Sequence, residues 1–132
     1  MIDYCKILKE ASTIAVVGFS KNPNKTSRQI AGFLQSVGYQ VFAVNPTIEE
    51  DEIEGIKVFK SLRDIKTKID IVDVFRKSED VDALIDDVLA INPSVLWLQS
   101  GITSAFARQK AIENGISFIE DTCIYVMYNN CH

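Results

Sequence analysis

The stretch VVGFSKNPNKTSRQI, Val16–Ile30, leaves an apolar β-branched segment, turns on a single glycine and enters a helical pattern. Upstream, Thr13–Val17 is short and β-branched, and reads as a strand buried on both faces. Downstream, Ser27–Val37 sets Ile30, Phe33, Leu34 and Val37 on one stripe, the spacing of an amphipathic helix. A strand that feeds a helix through a polar loop opens a βαβ unit, and the rest of the chain repeats the pattern. Gln40–Val44, Ile69–Phe75 and Ser94–Leu98 read as further strands, with a weaker one at Ile116–Ile119; Glu79–Ile91 and Ser104–Asn114 read as helices. Gly38 and Gly115 stand where a left-handed cap would close a helix before the next strand. Ser78, followed by Glu79 and Asp80, reads as an N-cap with acids at the positive end of the helix dipole. Alternation with short connections implies right-handed crossovers and a parallel sheet covered on both sides. The expected fold is therefore α/β: one doubly wound, five-stranded parallel sheet with flanking helices, residues 1–132 forming one domain.

The pattern loosens between Pro46 and Ile69. EEDEIEG, Glu49–Gly55, is acidic and turn-like, and KVFKSLRDI, Lys57–Ile65, reads as a short strand or turn leading into a brief helix that replaces a full crossover. Met1–Ser12 reads as an outer helix, and Asp121–His132 as a tail without assigned structure.

Composition narrows the function classes. The chain has 132 residues, 47% of them apolar, enough for one core. A net charge of -4 without a basic run offers no footprint for nucleic acid or an anionic membrane surface, though a local pocket for one phosphorylated ligand remains open. No apolar run approaches the roughly 20 residues of a membrane-spanning helix. Cys5, Cys123 and Cys131, without a secretory leader pattern, point to a reducing compartment, by default the cytoplasm.

Open parallel sheets bind ligands at the carboxyl ends of their strands, beside the point where the strand order reverses. The loop after Val17 ends at a helix N-terminus, where free N–H groups and the dipole favour an anion. Gly18 permits a sharp exit and close backbone approach. Thr26 and Ser27 can cap the helix or offer hydroxyls, and Lys21, Lys25 and Arg28 add charge. A phosphate site fits this combination, while Ser27 acting only as a cap beside solvated lysines fits any one residue equally. The second strand ends in Asn45–Pro46, without the carboxylate that holds a dinucleotide's ribose, and the loop lacks G-x-G-x-x-G; both weaken NAD binding. Phe75, Arg76 and Lys77 end the third strand as an aromatic surface beside cations, suited to adenine and phosphates, or as a core ring with Arg76 paired to Glu79 or Asp80. Asp73 would be a buried carboxyl in need of donors, structural rather than catalytic. After the fourth strand, Gln99, Ser100 and Gly101 could wrap a ligand, Thr103 or Ser104 could cap the next helix, and Trp97 reads as core.

Taken in order and spacing, GFSKNPNKTS, VNP, DIVDVFRKSE and WLQSGI resemble the small stand-alone coenzyme A-binding proteins related to the CoA-binding domain of the succinyl-CoA synthetase alpha subunit, from about Ser12 to Cys123. The resemblance implies a Rossmann-like fold and bound CoA. On it, Gly18, Ser20, Lys25, Thr26 and Ser27 would meet the phosphates, with Phe19 at the mouth where a small residue is usual and the pocket correspondingly narrower. Asn45 and Pro46 would flank the cofactor, Phe75, Arg76 and Lys77 would lie along the nucleotide, and Gln99, Ser100 and Gly101 toward the pantetheine. The family's D-R-C stretch is Asp121-Thr122-Cys123 here, which removes its arginine.

Synthetase chemistry needs a phosphorylated histidine, and the single histidine is His132, the last residue. Cys123, Cys131 and His132 lack the paired spacing of a zinc site. Cys123 reads as an ordinary buried cysteine, or as a thiol placed to form a mixed disulfide with CoA. The expectation is a non-catalytic binder of CoA or an acyl-CoA. The alternative is a small enzyme or NAD-type nucleotide-binding module using the same cleft.

Overall fold

The computed structural model describes residues 2–132. Strands β1 (Thr13–Val17), β2 (Gln40–Val44), β3 (Glu52–Ile53), β4 (Ile56–Phe59), β5 (Ile71–Val74), β6 (Val95–Leu98) and β7 (Ser117–Ile119) form one sheet in the order β3-β4-β2-β1-β5-β6-β7. Every pairing is parallel except β3 with β4. The five expected strands are present, β1 and β2 with the expected bounds and the others trimmed at their ends.

The count is corrected from five to seven, because the acidic stretch and its neighbour form a hairpin. Glu54 and Gly55 turn it with φ of 49° and 83°, and β4 extends the sheet beside β2. β4 buries only Ile56 outright, so it lacks the apolar run that betrays a central strand. The hairpin is followed by one 3₁₀ turn at Leu62–Asp64 in place of a crossover helix.

The helices are α1 (Tyr4–Glu10), α2 (Thr26–Ser36), α3 (Ser78–Val81), α4 (Ile85–Ile91), α5 (Ala105–Glu113) and α6 (Ile124–Asn130). Met1, the start of the expected outer helix, lies outside the described residues. The expected Glu79–Ile91 helix is divided: α3 and α4 flank a 3₁₀ turn at Asp82–Leu84, where the Ser104 hydroxyl donates to Asp82 at 2.6 Å. Ser78 is not the N-cap. Lys77 holds that position, and the Ser78 hydroxyl oxygen instead accepts the Thr103 N–H at 3.0 Å. Gly38 and Gly115 take the left-handed backbone expected of them. The segment left as an unassigned tail contains α6.

Alternation along the strands fills two cores. Ala15, Val17, Val72, Val74, Leu96 and Leu98 join residues of α4 and α5 on one face, while Ile14, Val16, Ile71 and Trp97 join α1, α2 and α6 on the other. Burial on both sides explains why the central strands read as continuous apolar runs. Trp97 is core, as expected, and its indole N–H donates to the Thr122 carbonyl at 2.8 Å. From β1 the chain moves outward to β2 and β4, then returns to pair β5 on the other side of β1. The loops after β1 and β5 leave the sheet side by side at that reversal.

Contrary to the expectation of unpaired thiols, Cys5 and Cys131 form a disulfide between α1 and the end of α6; Cys123 is free. Their separation of 126 residues gave no local sequence signal. No described helix is long and apolar enough to cross a membrane.

Asp73 is fully buried, in register with Val16 and Trp97, and neither carboxyl oxygen has a hydrogen-bond partner among the described residues. The expected donors are not there, and burial pushes its pKa well above the usual carboxylate range. The neutral acid is thus favoured in the folded state. A raised folded-state pKa contributes stability that is complete below the unfolded value, about 4, and is lost as pH rises toward the folded value. We expect Asp73→Asn to melt near the wild-type temperature in acid and progressively above it as pH increases. A gap between the two proteins that does not change with pH would contradict this reading.

Candidate functional site

The first residue of α2, the loops after β5 and β6 and the entry to α6 line a cleft of about 680 Å³. It lies at the carboxyl ends of the strands, at the β1–β5 reversal. Of the residues singled out in the sequence, Thr26, Phe75, Arg76, Lys77, Gln99, Ser100, Gly101 and Cys123 line it. Gly18, Phe19, Ser20, Lys25, Ser27, Asn45 and Pro46 do not, and most of these have identifiable structural work.

Gly18 has φ +87°, and a Cβ there would stand 2.7 Å from the Phe75 carbonyl oxygen and 3.1 Å from Arg76 Cδ. The close approach that its glycine allows is therefore to the β5 loop. Phe19 is wholly buried, which corrects the expectation that it narrows the mouth: an aromatic ring at a strand exit finds more apolar contact beneath the loop than at its rim. The Arg28 guanidinium lies 5.8 Å from that ring's centroid, donates to the Lys21 carbonyl at 2.6 Å and pairs with Glu54 at 3.1 Å. Lys21 pairs with Glu50 at 2.8 Å, which lowers the Glu50 pKa. Two of the three loop cations are thus engaged by the acidic hairpin, while exposed Lys25 forms no ion pair among the described residues.

The loop is held by its own side chains. The Ser20 N–H donates to Ser27 Oγ at 3.0 Å, the Asn22 N–H to Ser20 Oγ at 3.1 Å and the Asn24 N–H to Asn22 Oδ1 at 2.9 Å. Buried Ser27 is a tie across the loop. The first α2 bond runs from the Gln29 N–H to the Lys25 carbonyl, so the helix itself leaves the N–H groups of Thr26, Ser27 and Arg28 unpaired. Asn45 Nδ2 donates to the Phe19 carbonyl at 2.8 Å, and Asn45 Oδ1 accepts from the Thr47 N–H and hydroxyl. It fastens the β2 exit to the first loop. Pro46 is exposed beside it.

On the opposite wall, half-buried Phe75 reaches the α2–α6 core. Arg76 faces Asp80 at 3.4 Å, with both side chains near 40% exposed, a pairing weak enough for an anion to displace. Lys77 is exposed. Gln99 is buried, and its Oε1 accepts the Ile124 N–H at 3.0 Å, so this side chain secures the start of α6. The Gly101 N–H donates to Asp121 Oδ1 at 2.6 Å. Ser104, of the two candidates, caps α5 by accepting the Ala107 N–H. Ser78, Glu79 and Ile102 also line the cleft; they were missed, although Ser78 and Glu79 directly follow Lys77 and Ile102 follows Gly101. His132 stacks on Tyr128 and lines a different cleft at the amino ends of β1 and β2, with Ser12 and Tyr39.

Residues 12–129 match the family model described as CoA binding domain. YneT from Bacillus subtilis (strain 168) is 40% identical over 123 residues, 93% of this chain and 90% of that protein. Among solved structures, cell-free ID.343 from Thermus thermophilus superposes with a TM-score of 0.94 at 33% identity, covering 99% of this chain and 100% of that one. The dinucleotide-forming acetyl-coenzyme A synthetase 1 of Ca. Korarchaeum cryptofilum has a TM-score of 0.68 at 31% identity; the match covers 81% of this chain but 25% of the synthetase.

Gly18 and Gly101 offer a direct comparison, since both have positive φ but only Gly18 faces a clash. We expect Gly18→Ala to lower unfolding free energy in urea by about 2–3 kcal/mol and Gly101→Ala by about 1 kcal/mol. Equal losses would remove the assigned role of the Gly18–Phe75 approach.

Proposed function

Because the chain belongs to the CoA-binding domain family, we propose that it binds coenzyme A or an acyl-CoA, without catalysing a reaction on it, in the cleft at the β1–β5 reversal. The observation that carries this reading is the convergence there of the α2 N-terminus with the Phe75–Lys77 loop. Unpaired N–H groups at Thr26–Arg28 suit a pyrophosphate, with Lys25 and Arg76 supplying charge. Phe75 offers an apolar surface for the nucleotide, and Ser100, Gly101 and Cys123 form the far wall, toward the thiol end. Gly18, Phe19, Ser20, Ser27 and Asn45 serve this site from behind, by fixing the loops, while Gln99 lines the cleft and secures the start of α6.

Two features favour a CoA binder over an NAD module or small enzyme. Asn45 at the β2 exit supplies no carboxylate for a ribose and is occupied by Phe19 and Thr47. His132 belongs to the opposite end of the sheet. The same reading assigns the protein to the cytoplasm, where CoA is used.

Calorimetry with CoA, acetyl-CoA, NAD and ATP should give binding for the first two and the tightest dissociation constant within that pair. Binding of NAD without CoA would overturn the proposal. Lys25→Ala should weaken CoA about tenfold, on the order of 1.4 kcal/mol, without lowering stability. Unchanged affinity would leave the phosphates to backbone N–H groups alone. Incubation with CoA disulfide should let the Cys123 thiolate displace one CoA thiolate and retain the other as a mixed disulfide. Intact mass would show one added CoA in the wild type and none in Cys123→Ser; adduct on both proteins would remove Cys123 from the site.

A further inference from the structure

The α6 helix spans the distance between the two clefts and is fastened at both ends. At its start, Gln99 Oε1 accepts the Ile124 N–H, Trp97 donates to Thr122, and Cys123 lines the carboxyl-end cleft. At its finish, Cys131 is bonded to Cys5 of α1 and lines the amino-end cleft. Between them, seven residues form the helix, and Ile124 is the one buried among them. Tyr125 and Val126 are exposed, while Tyr128 makes edge contacts with Phe33 and Tyr39. A helix this short does not persist on its own propensity, so its order depends on tertiary fastening. Cys5 is exposed, leaving the bond open to a reductant.

We propose that the Cys5–Cys131 disulfide is a reversible latch that holds α6 closed and thereby sets the order of the cleft wall at Cys123. A dithiol reductant would cleave the Sγ–Sγ bond by two-electron transfer. The products are two cysteine thiols and the reductant's cyclic disulfide, the dithiol's two protons passing to Cys5 and Cys131. With the latch open, α6 beyond its start retains the edge contacts of Tyr125 and Tyr128 with Phe33, that of Tyr128 with Tyr39 and half-buried Met127, and loosening at its far end propagates along a single helical stretch to Cys123. A disulfide in a cytoplasmic protein is more often transient and regulatory than structural. The ligand-affinity part of this inference and the reducing compartment rest on the CoA reading above; the geometry of the latch does not.

The test exploits the fact that Cys123 is the one free thiol both in the oxidised wild type and in the Cys5→Ser/Cys131→Ser double variant. With the fold verified by circular dichroism, alkylation of Cys123 by iodoacetamide should be at least about tenfold faster in the variant, as expected when a local opening becomes more populated. Equal rates would overturn the latch. Should the variant not fold, wild type treated with dithiothreitol and mapped by peptide mass gives the same comparison at Cys123. On the CoA reading, opening the latch also weakens CoA several-fold. Failure of the oxidised protein to bind CoA would defeat that reading while leaving the alkylation result to judge the latch.

Discussion

Gly18 meets the Phe75 carbonyl at a distance that admits no side chain, and the geometry of the site depends on that approach. It occurs where β1 ends between β2 and β5, at the reversal of strand order, and it fixes the first loop against the β5 loop, so that the start of α2 and the β5 loop face one cleft. Asn45 then draws the β2 exit to the Phe19 carbonyl, and the Phe19 ring anchors the loop in the core. The polar tip from Ser20 to Thr26 is shaped by hydrogen bonds that it makes to itself and to Ser27. Little of this loop depends on a ligand for its shape, which is the preorganisation that an anion site at a helix N-terminus requires.

Charge follows the same division. The β3–β4 hairpin brings Glu50 and Glu54 to Lys21 and Arg28, leaving Lys25 and, across the cleft, the loosely paired Arg76 and exposed Lys77. The site is therefore modest in positive charge, and the proposed coenzyme A would rely on backbone N–H groups as well as on these cations. This agrees with the acidic balance of the chain as a whole.

The central strands were legible because burial on both faces leaves uninterrupted β-branched runs; β1 and β2 match to the residue. The hairpin was not, since β3 has two residues and β4 buries one of four, and short polar edges resemble turns. The α6 helix was missed because its exposed Tyr125 and Val126 blur the helical stripe, and the disulfide because no local pattern joins residues so far apart. In the site, the residues presented at strand ends were readable from position alone. Which of them commit their side chains to the fold was not: Ser27, Asn45 and Gln99 are polar residues that the sequence offers equally to a ligand or to a neighbouring backbone. Only the fold decides, by placing the Ser20 N–H, the Phe19 carbonyl and the Ile124 N–H within their reach.

The most direct measurement is a crystal structure of the protein grown with coenzyme A. Our account predicts density at the β1–β5 reversal, with the pyrophosphate on the N–H groups of Thr26–Arg28, the nucleotide against Phe75 and the thiol end near Ser100 and Cys123. A ligand seated instead in the cleft between Ser12, Tyr39 and His132, or held only by the acidic hairpin side of the loop, would contradict it.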